Sequence, residues 1–331
     1  MNFLFWLSFI YCGVSRFRYF LYSLHFLKSK KASLPVISIG NLTFGGSGKT
    51  PLAMDILSFL IEKNYKPALL TRGYKGNWEK KGGILSDGGK ILGSWQDCGD
   101  EPFMIAKNIA KAGIFVGKDR FSSAQMAVKL GFNIALLDDG FQYYPLARDI
   151  DIILYETSPN LPRREFDSSL KRADYILVEK GLKKEMKRKK YMAGKNIYKY
   201  EIKSKGFFEL GNEEKQIPLS NLKSKKALAF CAIARPERFL HLLHQHEIYP
   251  LYLLKFPDHH SYPSSSMVKI FKTAKKLQAE ILIMTEKDAV KVTESLPMLE
   301  IPSFYLKIEL KPENKFYSQL LSFLNAHFSG Q

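Results

Sequence analysis

One run of residues, Gly45-Gly46-Ser47-Gly48-Lys49-Thr50-Pro51, limits what this chain can fold into more than any other. It follows a short apolar stretch, Leu34 to Ile39, that reads as a strand. It precedes a helical pattern from Leu52 to about Lys63. A glycine-rich turn between strand and helix lets backbone N–H groups converge on phosphate oxygens, and the helix N-terminus adds the positive end of its dipole. Lys49 then reaches the β/γ-phosphates and Thr50 offers a hydroxyl to Mg²⁺. The general G-x-x-x-x-G-K-[ST] pattern places glycine five residues before Gly48, where this chain has Thr43. Glycine at 45 and 46 keeps the loop pliable all the same.

The acidic partner of such a loop is an apolar strand that ends in a carboxylate, and Ile134-Ala135-Leu136-Leu137-Asp138-Asp139-Gly140 supplies it. Asp138 would hold Mg²⁺ directly or through water, with Asp139 beside it; the plainer alternative is a strand closed by an Asp-Gly turn. Around these two segments, strand and helix signals alternate. They are Pro67 to Thr71, Pro102 to Ala112, Ile114 to Val116, Arg120 to Leu130, Ile150 to Tyr155 and Tyr175 to Val178. That order predicts an α/β fold, a P-loop NTPase-like domain over 31–195 with a mostly parallel sheet and ligands at its strand ends. Between Lys180 and Lys199 the sequence turns strongly basic, and 196–222 reads as an extended linker. A second, smaller α/β domain is expected over 223–331. Its last strand, Phe304 to Leu310, and last helix, Asn314 to Phe328, are free to return to the linker or to the first domain.

The N-terminus, residues 1–30, has a different character. The stretch from Met1 to Met54 holds no acidic residue, and ten aromatics (Phe3, Phe5, Trp6, Phe9, Tyr11, Phe17, Tyr19, Phe20, Tyr22, Phe26) share it with Arg16, Arg18, Lys28, Lys30 and Lys31. Aromatics mixed with cations suit a helix that buries one side at a lipid headgroup boundary. A buried first helix of a soluble protein is the alternative. The charge follows the apolar run, unlike a signal peptide, and Met1 to Ser15 is short for a span. No other stretch has the length of a spanning helix, which excludes a polytopic membrane protein.

The 331 residues carry 50 Lys+Arg against 32 Asp+Glu, a formal charge of +18. That excess calls for nucleic acid, anionic lipid or a phosphorylated small molecule. No nucleic-acid-binding motif interleaves with the charge, so nucleic acid is not expected, nor is any protein partner. Three separated cysteines, Cys12, Cys98 and Cys231, give neither a disulfide framework nor a zinc site and point to a reducing compartment. His241, His244 and His246 lie close together but lack the Cys or acid pair of a metal site.

Taken together, the motifs resemble the bacterial tetraacyldisaccharide 4′-kinases of lipid A biosynthesis (LpxK type). The resemblance rests on Gly40-Asn41-Leu42-Thr43-Phe44 running into the glycine loop, then Arg72-Gly73-Tyr74, Gly99-Asp100-Glu101-Pro102 and Asp119-Arg120. It continues through Asp138-Asp139-Gly140-Phe141-Gln142, Lys171-Arg172-Ala173-Asp174, Phe256-Pro257-Asp258-His259-His260 and Thr285-Glu286-Lys287-Asp288-Ala289-Val290-Lys291. It implies transfer of the γ-phosphate of ATP to the 4′-hydroxyl of a tetraacylated glucosamine disaccharide 1-phosphate, at the cytoplasmic face of the inner membrane. Asp100, paired with His259 or His260 and here assigned to His260, would act on the acceptor hydroxyl.

The resemblance also implies ATP contacts from Thr43, Gly45, Gly46, Ser47, Gly48, Lys49, Thr50, Arg72, Arg120 and Gln142. Metal contacts would come from Thr50, Asp138, Asp139, Glu101 and Glu165. Three places depart from the family pattern. Tyr143 stands where histidine is usual, Leu161-Pro162-Arg163-Arg164-Glu165 is shortened, and Ala232-Ile233-Ala234-Arg235-Pro236 lacks two glycines. A P-loop ATPase or GTPase switch or chaperone is the rival reading, with Thr285-Glu286-Lys287-Asp288 a superficial match to a guanine-specifying motif.

Overall fold

The computed structural model describes residues 3–46, 48–156, 162–180, 190–293, 295 and 301–328. The chain forms two compact units, Met1–Ile202 with Leu310–Gln331, and Lys203–Glu309.

In the first unit, strand β1 (Val36–Asn41) is central, and every residue of it is buried. Parallel neighbours flank it: β5 (Ile134–Leu137) on one side and β6 (Ile150–Tyr155) on the other. Outward from β5 follow β2 (Pro67–Thr71), β4 (Gly113–Val116) and the antiparallel β3 (Gly83–Asp87). Outward from β6 follow β7 (Tyr175–Glu179) and the first part of β8 (Asn196–Glu209), both parallel. Continuous apolar runs make these strands because both faces are covered. Helices α1 (Phe3–Ser23), α2 (Lys49–Glu62), α3 (Asp100–Asn108) and α4 (Arg120–Lys129) belong to this unit. On one face Leu52, Ile56 and Leu60 of α2 pack with Ile105 of α3; on the other, Ala124 and Ala127 of α4 pack on Ala68, Leu70 and Phe115.

One expectation about the chain path needs correction. The stretch expected as a linker, 196–222, begins with the 14-residue strand β8, because Tyr198, Tyr200 and Phe207 bury themselves in it and its start pairs with β7. Strand β9 (Asn212–Ile217) then folds back on β8 as an antiparallel hairpin. Of the alternatives left open for the closing helix, the structure takes the return to the first unit: in Asn314–Phe328, Phe316, Leu320 and Leu324 are fully buried against Leu57, Tyr175 and Tyr198. The backbone of Glu313 ties this return to β8 by donating to the Lys199 carbonyl at 2.9 Å.

The second unit is a smaller α/β body, with parallel strands in the order β11 (Tyr252–Lys255), β10 (Ala227–Cys231), β12 (Ile281–Thr285) and β13 (Ser303–Pro312). Its main helices are α5 (Pro236–Gln245), α6 (Ser264–Lys276) and α7 (Glu286–Val292), and the closing helix of the chain is α8. Buried apolar clusters lie on both sides of this sheet, around Phe230, Met267 and Ile270, and around Phe239, Leu243 and Ile283. Among the described residues, no helix is long and apolar enough to cross a membrane.

Candidate active site

β5 and β6 lie on opposite sides of β1, so the carboxyl end of β1 is a switch point of the sheet, the place where open α/β sheets take ligands. The glycine loop lies there. Gly48 takes φ 86°, a left-handed conformation, as the N-cap of α2, and a Cβ on it would press to 3.1 Å from Leu310 Cδ1. Only glycine fits, and the helix then starts at once with Lys49 and Thr50 in its first turn, three residues earlier than the apolar period predicts. Pro51 is accepted there because its missing N–H has no partner to lose in a first turn. Gly45 also has positive φ, at 102°. Ser47, the remaining loop residue expected to bind, lies outside the described residues.

Asp138 and Asp139 follow the end of β5, directly beside β1. The turn they make needs Gly140, whose Cβ would come within 2.7 Å of Leu137 and Ser38, and Gly40, whose Cβ would strike Phe141 at 2.4 Å. Lys49 Nζ lies 3.3 Å from Asp139 Oδ1 and donates to Asn41 Oδ1 at 3.2 Å. Arg164 donates through Nη1 to Asp139 Oδ1 at 2.6 Å and to Oδ2 at 2.5 Å. Burial by itself would raise the pKa of Asp139, but Lys49 and Arg164 outweigh it and hold the carboxyl well below the usual carboxylate range. Asp138 shows the opposite. Burial first, and then the charges of Glu101 and Asp139, push it up to about 6 against the pull of Lys49 and of a hydrogen bond from Thr71 Oγ1 at 3.2 Å.

Acids crowded at the mouth of a phosphate loop are the setting a hard divalent cation relieves. Among the described residues no three His, Cys, Asp or Glu side chains gather into a cage. Mg²⁺ needs no such cage, since it uses one or two carboxylates together with substrate phosphates and water. Asp138, with Thr50 and Glu101 as further oxygen donors, fits such an ion. Glu165 does not. It is buried, its Oε1 accepts from Tyr144 Oη at 3.1 Å and its Oε2 is paired with Arg172, so both oxygens are engaged by protein donors.

Three further residues expected at the nucleotide have other partners here. The Thr43 hydroxyl donates to Glu156 Oε2 at 3.1 Å, away from solvent. Arg72 pairs through Nε with Glu79 Oε1 at 2.6 Å on the surface. Gln142 donates to the Asn41 carbonyl at 3.0 Å, bracing the end of β1. Arg120 is buried over the Tyr143 ring, 4.4 Å from its centroid, and donates to the Lys118 carbonyl at 3.0 Å. Tyr143, the residue that departs from the family pattern, thus has a definite role: its ring carries Arg120 and its hydroxyl accepts from the Arg120 amide at 3.2 Å.

Asp100 is the first residue of α3, buried, behind Gly99 at φ 90°. In the second unit the two adjacent histidines differ. His260 stacks on Phe256 with ring centroids 4.9 Å apart, meets Tyr262 edge-on, and shares a hydrogen bond of 2.7 Å between Nε2 and Ser266 Oγ. His259, at φ 58°, puts Nε2 3.3 Å from Lys287 Nζ and 3.8 Å from Asp258 Oδ2. Buried Asp288 anchors this loop. It accepts from the Ala232 amide at 3.2 Å and from Thr285 Oγ1 at 2.6 Å and pairs with Lys291 at 3.3 Å, while the Ala232 carbonyl accepts from the His259 amide at 3.3 Å. The Thr-Glu-Lys-Asp stretch therefore caps α7 and ties a loop and is not a base-recognition loop. His241, His244 and His246 are turned to separate neighbours, Gln245, Tyr249 and Phe207.

Asn41 and Thr71 are site residues to which sequence reasoning gave no role, and Arg164 was weighed beside Glu165 in the shortened 161–165 stretch without being assigned one. Asn41 and Thr71 each end a parallel strand beside β5, a position signal that was open to use. Arg164 comes to Asp139 only through the fold.

The chain is similar to known proteins. A family model described as tetraacyldisaccharide-1-P 4′-kinase (LpxK) matches residues 1–325. The tetraacyldisaccharide 4′-kinase of Desulfotalea psychrophila is 35% identical over 305 residues, 86% of each chain. That of Aquifex aeolicus is 32% identical over 298 residues, covering 86% of this chain and 88% of the relative. The crystal structure of LpxK from Aquifex aeolicus in complex with ATP superimposes with a TM-score of 0.74 at 28% identity, covering 96% of this chain and 97% of that one.

Proposed function

Since the chain belongs to the tetraacyldisaccharide-1-P 4′-kinase family, we propose that it transfers the γ-phosphate of ATP to the 4′-hydroxyl of a tetraacylated glucosamine disaccharide 1-phosphate in lipid A biosynthesis. The observation that carries this reading is the junction where Lys49 opens α2 behind a left-handed Gly48 and meets Asp139 and Asp138 at the end of β5.

Each residue then has a physical task. On nucleotide entry the Lys49 ammonium exchanges Asp139 for phosphate oxygens, and the first-turn amides of α2 add their dipole. Asp138 and Thr50, with Glu101 nearby, would hold Mg²⁺, which would supply charge neutralisation when bound. Arg164 keeps Asp139 ionised and aimed once Lys49 has left it. A sugar hydroxyl is a weak nucleophile, so a base must accept its proton as the bond to phosphorus forms. We assign that step to Asp100 with His260, whose ring orientation is fixed by Phe256 and Ser266.

The acceptor is a lipid, and α1 offers a face to reach it. Ile10, Val14, Phe17 and Phe20 are exposed along that helix, followed by Phe26 and Leu27, with Arg16, Lys28 and Lys31 among them. Burying such a face at a lipid boundary while cations meet anionic headgroups supports seating on the cytoplasmic side of a membrane.

The test is transfer of labelled γ-phosphate from ATP to a tetraacyl disaccharide 1-phosphate in detergent micelles, with and without Mg²⁺. Mg²⁺-dependent labelled lipid is the expected result. ATP hydrolysis without labelled lipid would turn the reading toward a nucleotide switch.

A further inference from the structure

Residues 42–44, leading into the glycine loop, are zipped to 162–165. The Phe44 amide donates to the Pro162 carbonyl at 2.8 Å, Thr43 bridges Arg163, and the Arg164 amide donates to the Leu42 carbonyl at 2.8 Å. This pairing sets where the backbone of Arg164 lies but not where its side chain points. A partly exposed arginine has several rotamers of similar energy and loses them only against a specific surface. That surface is the Phe44 ring, which lies 5.1 Å from the Arg164 guanidinium carbon. Tyr11 of α1 also meets that ring, edge to face with centroids 5.2 Å apart. The guanidinium so held reaches both oxygens of Asp139.

We propose that Phe44, braced by Tyr11, is a positioning residue that holds Arg164 onto Asp139, so that the seating of the first helix sets the aim of an acid at the nucleotide loop. The inference rests on the kinase reading for its consequence in turnover but not for its geometry. Arg18 and Arg172 lie over other rings, at Tyr144 and Tyr19. Tyr11 contacts a residue of the loop that leads into α2.

Because Lys49 leaves Asp139 when phosphate enters, the ring contact matters most after nucleotide has bound. It belongs in kcat more than in the KM for ATP. A cation over an aromatic face at a half-buried site contributes modestly, so Phe44→Leu and Tyr11→Leu should each lower kcat roughly three- to tenfold, with the KM for ATP moved less than about twofold. Phe44→Tyr and Tyr11→Phe keep the rings and should recover activity to within about twofold. Tyr11 is 46% exposed, so its truncation leaves the fold intact.

The deciding measurement is a double-mutant cycle on the full-length chain. Lipid phosphorylation and ATP hydrolysis without lipid are read in parallel for wild type, Phe44→Leu, Tyr11→Leu, Arg164→Gln and the two doubles. If the rings act through Arg164, the leucine substitutions cost nothing more in the Arg164→Gln background. Equal fold-losses in both backgrounds, or no loss in the wild-type background, would overturn the inference. A cycle that is non-additive in ATP hydrolysis while wild type phosphorylates no lipid would sink the functional reading and leave the positioning role standing.

Discussion

Asp138→Asn should make the ligand-free protein more stable at neutral pH while removing its response to Mg²⁺ and ATP. The carboxyl of Asp138 is pushed up to about 6 by burial and by the charges of Glu101 and Asp139, against an ordinary value of 3.8. A folded-state value above the unfolded one means that the folded chain binds the extra proton between these limits. The penalty is therefore absent below about pH 4, grows as pH rises through 4 to 6, and is fully present at pH 8. About two units at roughly 1.4 kcal/mol each gives on the order of 3 kcal/mol. The attraction of Lys49 and the Thr71 hydrogen bond already oppose that shift, so removing the charge should return most of it. For a unit of about this size, the gain corresponds to roughly 6 to 12 °C in melting temperature.

The assay is thermal unfolding of both proteins in chelator from pH 4 to 8, repeated with Mg²⁺ and ATP. The variant should melt higher at pH 8, the gap should close toward pH 4, and only wild type should gain from the ligands. A ligand present at a hundred times its Kd would give wild type about 2.7 kcal/mol. A variant that melts at or below wild type at pH 8 without ligand would refute the account of Asp138 as a strained acid awaiting a cation.

Lys49→Ala should weaken ATP binding and cut turnover at least about a hundredfold, because no other ammonium in the described site pairs with Asp139; titration with a fluorescent ATP analogue checks the first part, and unchanged affinity would remove Lys49 from the phosphate site. Asp100→Ala and His260→Ala should each lower lipid phosphorylation by about 10²- to 10⁴-fold while sparing ATP affinity, as expected for residues that act on the acceptor proton. Normal turnover in His260→Ala would move that role to His259. In the second unit, Asp288→Ala strips the carboxylate from the buried Lys291, whose side chain is 1% exposed, and takes the acceptor from the Ala232 amide. A loss of about 3 to 5 kcal/mol in denaturant unfolding is expected, and less than about 1 kcal/mol would show that the pair is not what holds the loop.

Much of the site is local in sequence and could be read there. A loop of glycines before Lys49 and Thr50 has one strong use, since few other arrangements need left-handed backbone at a helix start. An apolar strand ending in Asp138 and Asp139 completes it. The fold class follows from alternation of buried strands with helices. These features depend on residues within one turn or one strand of each other, where backbone conformation and burial are set by the residues themselves.

The tertiary structure decided everything that joins distant segments. Arg164, not Glu165, comes to Asp139, because the zip between 42–44 and 162–165 sets the register and consecutive side chains in an extended segment point opposite ways. The stretch after 196 becomes a strand because an open strand edge at β7 was there to pair with it. The last helix returns to the first unit because Phe316, Leu320 and Leu324 found an apolar surface there, which its own amphipathic pattern demanded without naming. Sequence alone thus determined which chemistry the chain could support. Which carboxylate is paired, and which is left poised for a cation, was decided by strand order and register, for these set the distances over which charge and burial act.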